Sequence, residues 1–188
     1  MTHYAAYSHR IGMYILLKRK SALFFVLFTF LCLTAFAFIL FNALGYRMNH
    51  SALLPFLVYK TTLLAQETVI ERGDCILIDL SKISNIVINR GVERGYVNLR
   101  EPMMKRIGAI PGDIVILKCG YLSVNGKTTK ITVASHDSYG EELSAWPMPI
   151  TLKTGQYWLI SDSMRGFDSR YFGPVNRNVL TYKARPVF

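Results

Sequence analysis

The strongest constraint on this chain is a run of 26 residues without a charged side chain, from Ser21 to Tyr46. As an α-helix rising about 1.5 Å per residue, such a run is longer than the roughly 30 Å core of a bilayer. A basic cluster, Lys18-Arg19-Lys20, precedes the run, whereas only Arg47 follows it directly. Because basic residues that flank a span favour the cytoplasmic side, the N-terminus is expected in the cytoplasm.

A cleaved secretory signal is the alternative interpretation of a basic stretch followed by an apolar one. The run is too long for the apolar part of such a signal, and no small-x-small site follows it before Arg47. We therefore predict a cytoplasmic tail at residues 1–20, a single transmembrane anchor at 21–46 and a periplasmic domain at 47–188. A bacterial inner membrane is the expected location.

Beyond the anchor, short β-rich runs alternate with Gly, Pro, Asn and Asp, which is typical of strands and turns. Asn125-Gly126 between strand-like flanks is a strong signal for a hairpin. The stretch from Ser81 to Arg100 is ambiguous, and the stretch from Asp137 to Met148 resembles a loop. The fold class is therefore mainly β after one N-terminal helix, with strands predicted at Asp74–Asp79, Asp113–Lys118, Tyr121–Val124 and Gln156–Ile160.

The charge of the chain is +10, and residues 47–188 carry 18 basic and 12 acidic side chains. An excess of this size suits an anionic partner, such as nucleic acid or lipid headgroups, or simply a basic surface. The basic residues form no run after residue 20 and no nucleic-acid-reading motif is present, so we expect a basic surface and no nucleic-acid partner.

Three cysteines, Cys32, Cys75 and Cys119, lie far apart without a C-x-x-C pair or a histidine at metal-ligand spacing. Neither a metal site nor a cofactor is therefore expected. Cys75 and Cys119 are the two that a disulfide could join, but both have apolar neighbours. Two buried thiols are favoured over a bridge.

Three further stretches follow one another in a distinctive order, although each alone is typical of a turn or a solvated face. The stretches are Arg72-Gly73-Asp74, Lys105-Arg106-Ile107 leading to Pro111-Gly112-Asp113, and Phe167-Asp168-Ser169-Arg170-Tyr171-Phe172-Gly173-Pro174-Val175. Together with Val124-Asn125-Gly126, they resemble the type I signal peptidase clan, and more specifically its TraF-type members, which process pilins in conjugative transfer. The resemblance covers about residue 49 to the C-terminus.

The resemblance implies a signal-peptidase-like β domain and a serine nucleophile activated by a lysine, which is Lys105 in this sequence. A lysine can accept a proton only when it is neutral, yet its ordinary pKa is about 10.4. Burial among apolar side chains lowers the pKa because desolvation disfavours the ammonium form. The neighbours Met103, Met104 and Ile107 make such burial plausible for Lys105, at a cost of roughly 3 to 5 kcal/mol.

The nucleophile expected from the resemblance lies just after the anchor, a few residues before Pro55. In TraF-type members it stands two residues before the proline, which is the position of Leu53 here, and Ser51 matches a preceding serine. Two interpretations follow. In the first, Ser51 is the nucleophile through a shift of register, which the presence of Lys105 favours. In the second, Leu53 marks an inactive relative that keeps the fold and binds the substrate without cutting it.

Asp168, Ser169 and Arg170 are implied by the resemblance to lie near the active site. A carboxylate close to Lys105 would raise its pKa, so we assign Asp168 to orienting the local structure, paired with Arg170. A Ser-His-Asp triad is disfavoured, because His50 and Ser51 are adjacent and would point to opposite faces of a strand.

The function implied is proteolytic processing, with or without cyclisation, of an exported propilin or other substrate of a conjugative type IV secretion system. The expected partners are this substrate, membrane lipid and the transfer apparatus. The alternative is an inactive homologue that acts as a membrane-anchored binding or assembly component.

Overall fold

The structure is a computed structural model that describes residues 2–48, 57–83 and 86–187, with side chains from residue 22 onward. The chain divides into two units, residues 1–45 and 46–188. The first is one helix, and the second is built almost entirely from antiparallel strands. The mainly β fold class is confirmed.

The first unit is the helix α1, Thr2–Ala43. Its segment Ala22–Ala43 has a mean hydropathy of 2.7 and the length needed to cross a bilayer. Its few polar side chains are satisfied within the helix, because Thr29 Oγ1 donates to the Phe25 carbonyl and Asn42 Nδ2 to the Phe38 carbonyl. The large apolar side chains of this segment are exposed, as expected for a helix that faces lipid.

The larger of two sheets has seven strands in the order β1-β2-β11-β3-β4-β9-β10, and all neighbours are antiparallel. Its central strands β3 and β4 carry the most buried side chains, as expected for a sheet covered on both faces. Its strands are β1 Tyr46–Met48, β2 Val58–Leu63, β3 Cys75–Ile78, β4 Met103–Ala109, β9 Gln156–Ile160, β10 Val175–Asn176 and β11 Leu180–Pro186.

The smaller sheet has four strands in the order β7-β6-β5-β8. Its hairpin turns at Asn125 and Gly126, whose positive φ angles of 48° and 80° fit the primed turn that the Asn-Gly pair predicts. The strands are β5 Ile114–Lys118, β6 Tyr121–Val124, β7 Lys127–Thr132 and β8 Ile150–Thr151. Trp158 of β9 packs with Val115 and Leu122 of this sheet, so one apolar cluster joins the two sheets.

Helical structure in the second unit is short. The ambiguous stretch forms a 3-10 turn at Leu80–Lys82 and the helix α2, Ile86–Glu93, which places Ile88 in the main core. A single turn, α3 (Ser169–Phe172), follows β9, and a second 3-10 turn lies at Arg177–Val179. The predicted strands at residues 74–79, 113–118, 121–124 and 156–160 are all present, each within a residue of its expected bounds.

Three of the sequence motifs meet at one buried carboxylate. Asp113 accepts hydrogen bonds from the Arg72 guanidinium, from the Ile110 amide and from Asn125 Nδ2. The Arg72 hydrogen bond, the largest cause, holds the pKa of Asp113 at about 2. The Arg-Gly-Asp, Pro-Gly-Asp and Val-Asn-Gly stretches therefore fix the small sheet against the entry to β3, which is a structural role.

The cysteines differ from expectation in one respect. Cys75 is buried, and burial raises the pKa of its thiol, but Cys119 is exposed at the end of β5. Both are free thiols in this structure. The expectation of two buried thiols is wrong for Cys119, because this residue lies in the turn between β5 and β6. Its φ angle there is 50°.

Candidate active site

Lys105 lies in the middle of the seven-stranded sheet. It pairs with Ile76 of β3, and its side chain has no exposed surface. Met103 and Ile107, two residues away on either side, share its face and belong to the main core. Met104 points to the other face of the sheet and packs against a second apolar cluster, which includes Tyr59 and Leu77. Alternation along β4 therefore brings two of the three apolar neighbours to the side of the amine.

The surroundings of Lys105 favour its neutral form. Burial is the largest cause and lowers the pKa of Lys105 to about 8. The negative charge of Asp168 acts in the opposite direction, and the positive charge of Arg170 lowers the pKa further. A substantial fraction of the amine is thus unprotonated at mildly alkaline pH, without any histidine.

Ser161 is a site residue that the sequence analysis missed. Lys105 Nζ donates to Ser161 Oγ over 2.6 Å, and both side chains are buried. Ser161 directly follows β9, which pairs with β4 through Arg106 and Ile160. The signal that could have found it is this strand pairing, since the two residues are 56 positions apart and share no motif.

Asp168 and Arg170 form a buried ion pair at 2.8 Å, as the sequence analysis proposed for them. Asp168 Oδ2 also accepts from the Ser161 amide at 2.8 Å. The carboxylate therefore holds the backbone of the residue that contacts Lys105. Ser169 has a different contact, because its Oγ accepts from the Leu159 amide at 2.9 Å.

The guanidinium of Arg170 connects the turn after β9 to the small sheet. Besides Asp168, it donates to the carbonyls of Thr132, Gly166, Met164 and Ser163 at 2.7 to 3.3 Å. A guanidinium offers five N–H donors in a planar arrangement, and the carbonyls and carboxylate around it use them all. Arg170 therefore fixes the loop that carries Ser161.

Gly166 makes room for the Ser161 side chain. A Cβ atom at position 166 would lie 2.2 Å from both Cβ and Oγ of Ser161. Real Cβ contacts do not approach so closely, so any other residue would displace the serine. The glycine is thus a requirement of the hydrogen bond between Ser161 and Lys105.

A cavity of about 710 Å³ reaches Lys105. Aromatic rings form part of its wall, with Phe167 stacked on Tyr171 and tilted against Tyr96. The segment after β7 also lines the cavity, and its Asp137 accepts a hydrogen bond from the Tyr96 hydroxyl. Further lining residues are Met103, Thr132, Ala134, His136, Ser138, Leu143, Met164, Arg165 and Gly166.

The remaining predicted site residues are placed as follows. Ser51, Leu53 and His50 lie outside the described residues. His136 lines the cavity, and its Nδ1 is 3.0 Å from Ser135 Oγ. Among residues 22–48, 57–83 and 86–187, no group of three or more metal-ligating side chains is present. The described part of the site therefore contains a buried lysine that is hydrogen-bonded to a serine, and a buried ion pair whose carboxylate binds the amide of that serine.

A buried lysine on a strand of a mainly β domain, in a chain that begins with an apolar helix, is the arrangement expected from the resemblance to signal peptidases. A model of the family "Signal peptidase, peptidase S26" matches residues 16–188. The chain therefore belongs to the signal peptidase family S26.

The chain is similar to proteins named for plasmid transfer or conjugal transfer. The plasmid transfer protein TraF of Escherichia coli is 30% identical over 154 residues, which cover 77% of this chain and 83% of the relative. The conjugal transfer protein TraF of Agrobacterium fabrum is 27% identical over 150 residues, covering 77% and 82%. These findings confirm the resemblance inferred from the motifs.

Among solved structures, a signal peptidase I from Enterococcus faecalis V583 is 21% identical, with a TM-score of 0.38. The match covers 60% of this chain and 94% of that one.

Proposed function

We propose that this chain is a membrane-anchored serine endopeptidase in which the Ser51 hydroxyl is the nucleophile and Lys105 is the general base. The observation that carries the proposal is the buried Lys105 amine, whose pKa is lowered to about 8, at the end of an open cavity. A depressed lysine pKa in a cleft is a recurring mark of catalytic sites. The substrate is an exported propilin or another protein of a conjugative type IV secretion system, in keeping with the TraF relatives.

The proposed chemistry requires a single base. The neutral amine of Lys105 takes the proton from the Ser51 hydroxyl as its oxygen attacks the scissile carbonyl. The resulting ammonium returns that proton to the leaving amine when the peptide bond breaks, which leaves an acyl-enzyme. Water, or an amine of the substrate itself, then attacks the ester. Attack by water gives cleavage, and attack by an internal amine gives a cyclic product.

Ser161 is proposed to orient the base. A neutral amine has two N–H groups and one lone pair, and donation of one N–H to Ser161 Oγ restricts where the lone pair points. Asp168 and Arg170 act through Ser161, because they hold its amide and its loop in place. They are positioning residues in this proposal.

The edge of β4 supports binding of an extended substrate. β9 pairs with β4 only from Arg106 to Ala109, so Met103, Met104 and Lys105 extend beyond its end. The cavity lies beside this free stretch, since Met103 and Lys105 both line it. A substrate strand can therefore lie along β4 and bring its scissile bond to Lys105.

Proposed localisation follows the orientation expected from the basic cluster before α1. The helix spans the inner membrane once, with residues 1–20 in the cytoplasm and the peptidase domain at 47–188 in the periplasm. Reporter fusions that are active only in the periplasm should give signal when joined after Phe188. They should give none when joined before Ser21.

A second candidate function rests on Leu53, which stands where TraF-type members carry the nucleophile. A leucine neither accepts nor donates a proton, so a strict register makes the chain an inactive homologue. Such a protein would act as a membrane-anchored binding or assembly component of the transfer apparatus. Its cavity would then bind a segment of a secreted protein without cutting it.

The two proposed functions predict different effects of single substitutions on substrate processing. Membranes containing the wild-type chain or the variants Ser51→Ala, Lys105→Met and Lys118→Met are incubated with the cognate propilin, and its conversion is followed by mass spectrometry. Lys118 is an exposed lysine at the end of β5 and serves as the control. The dyad predicts wild-type conversion for the control and none for the other two variants. Unchanged processing with Ser51→Ala or with Lys105→Met rejects the dyad, and binding without conversion by the wild type supports the inactive component.

A further inference from the structure

Arg165 is a charged residue in the wall of the large cavity that the proposed chemistry does not use. It lines the cavity together with Lys105, and it is exposed. It lies four residues after Ser161, in the turn that leads from β9 to α3. An arginine stays protonated at every pH at which proteins work. A permanent positive charge therefore lies close to the base, in the space that a substrate would enter.

No Asp or Glu side chain of the protein neutralises Arg165. All 12 of these residues lie within the described part of the chain, and none forms an ion pair with it. Asp162, in the same turn, accepts two hydrogen bonds from Arg106, of 2.6 and 2.9 Å. Asp168 is bound by Arg170. The guanidinium of Arg165 is therefore available to an external anion.

The acidic residue of the cavity wall is also fully engaged. Asp137 is the one carboxylate among the described residues that line the cavity. It accepts hydrogen bonds from the Tyr96 hydroxyl and from two backbone amides of its own segment. The Tyr96 hydrogen bond is the largest cause that lowers the pKa of Asp137. The charges left without a partner in this wall are positive, and a positive cleft attracts anionic groups.

The backbone on both sides of Arg165 is held in place. The buried guanidinium of Arg170 donates to the carbonyl of Met164 at 3.2 Å and to that of Gly166 at 2.7 Å. The Arg165 amide donates to Ser163 Oγ at 3.2 Å, and the Gly166 amide donates to the Ser163 carbonyl at 3.1 Å. Because the turn is already ordered, binding through Arg165 requires little further ordering of the backbone.

The turn also places Arg165 close to the base. A Cβ atom on Gly166 would lie 2.2 Å from Ser161 Oγ, which is itself 2.6 Å from Lys105 Nζ. With the 3.8 Å spacing of consecutive Cα atoms, the Arg165 Cα lies within about 10 Å of that amine. An extended peptide covers this distance in about three residues. A group that Arg165 binds therefore belongs to the part of the substrate next to the scissile bond.

A guanidinium is suited to carboxylates, because its planar N–H groups can donate two parallel hydrogen bonds to the two oxygens. We propose that Arg165 is a specificity residue that binds a substrate carboxylate within about three residues of the scissile bond. The substrate is then a polypeptide with an acidic side chain, or its C-terminal carboxylate, at that distance. The inference rests on the proposed peptidase function and adds the chemistry by which the cavity selects its substrate.

The test compares Arg165→Gln with a matched control in the purified full chain in detergent. The probe is the cognate propilin, and mass spectrometry locates the cleaved bond and gives kcat/KM. The control Arg90→Gln changes an exposed arginine of α2 that does not line the cavity. Arg165→Gln should lower kcat/KM about tenfold, the lower end for a hydrogen bond to a charged group, because this side chain is exposed. The control should match the wild type, and thermal unfolding should be unchanged in both variants.

Changes in the substrate identify the carboxylate. Each Asp or Glu of the propilin within about three residues of the cleaved bond is replaced by Asn or Gln. A synthetic peptide from the cleaved region to the C-terminus is compared with its C-terminal amide. Loss of about tenfold on one side-chain replacement identifies an acidic residue, and the same loss on amidation identifies the terminal carboxylate.

A double-mutant cycle tests whether Arg165 makes that contact. On the substrate that lacks the bound carboxylate, Arg165→Gln should be as active as the wild type, because the interaction is already absent. If the bound group is a side chain, Arg165→Glu should prefer a propilin with Lys at that position. Wild-type conversion by Arg165→Gln overturns the inference, and so do equal losses of both enzymes on every altered substrate.

Failure of this inference differs from failure of the peptidase function. If Arg165→Gln and the wild type both convert the propilin at the same rate, only the assignment of Arg165 is wrong. If the wild type converts nothing, the peptidase function is wrong, and binding of fluorescently labelled propilin to the same chains tests Arg165. Binding about tenfold weaker than that of Arg90→Gln supports a carboxylate contact, and equal binding overturns it.

Discussion

Replacing Gly166 with alanine is predicted to disconnect Ser161 from Lys105. The new Cβ would lie 2.2 Å from Ser161 Oγ, whereas ordinary contact begins near 3.4 Å, so the hydroxyl must move by more than about 1 Å. Its hydrogen bond to Lys105 Nζ, 2.6 Å long, would then exceed normal range. A displacement of this size in a positioning group costs about a hundredfold in rate. The clash itself should lower the free energy of unfolding by about 1 to 3 kcal/mol.

The assay is conversion of the cognate propilin by purified full-length chain in detergent, with thermal unfolding recorded on the same samples. The double variant Ser161→Gly with Gly166→Ala removes the clash, so it should regain stability but not rate. Ser161→Gly with Gly166→Ser carries the hydroxyl from the other side of the same space and should regain most of the rate. If Gly166→Ala alone processes substrate like the wild type, or if the hydroxyl-bearing double variant is no better than the hydroxyl-free one, the assignment of Ser161 to Lys105 is refuted.

The remaining predictions concern the charges around the site and the sheet junction. Arg170→Lys keeps the charge but loses most of the carbonyl contacts, leaving Asp168 poorly paired, so the free energy of unfolding should fall by about 3 kcal/mol in chemical denaturation. The pKa of Asp113 is lowered in the folded state, so the carboxylate stabilises the fold above pH 4, and this stabilisation is lost as the pH falls towards 2. The melting temperature of the variant Asp113→Asn should therefore depend less on pH between 4 and 2 than that of the wild type. The lowered pKa of Lys105 acts in the same direction at higher pH. The unfolded chain again binds the extra proton, so wild-type stability should rise between about pH 8 and 10.5 relative to Lys105→Met.

Local patterns predicted the strands and the hairpin well. Short apolar runs bounded by Asp, Gly and Asn gave β3, β5, β6 and β9, and Asn125-Gly126 gave the turn, because each depends on residues that are close in sequence. Helix α2 was not predictable in the same way. Gly91 within it is a poor helix former, and a Cβ there would lie 2.9 Å from the Phe167 ring, so close packing against a distant residue decides its structure.

The site was predictable only in part for the same reason. Burial of Lys105 followed from apolar neighbours along one strand, and the pairing of Asp168 with Arg170 from their spacing. Ser161 depends on the register between β4 and β9, which no local pattern encodes. The motifs around Arg72, Asp113 and Asn125 resembled a family signature, yet their shared role at one carboxylate becomes visible only in three dimensions.

The choice between Ser51 as the nucleophile and an inactive homologue marked by Leu53 stays a prediction, since both residues lie outside the described residues. What the described residues offer is the environment of the base.

The proposed peptidase activity depends most directly on the protonation of the Lys105 amine. A pH titration of the full chain with ¹³C-labelled lysine, in which the Lys105 signal is assigned by its loss in Lys105→Met, measures that protonation by NMR. The predicted midpoint is about 8, well below the ordinary lysine value. A midpoint near 10.5 would mean that the amine is charged wherever the protein works, and a lysine general base would be ruled out.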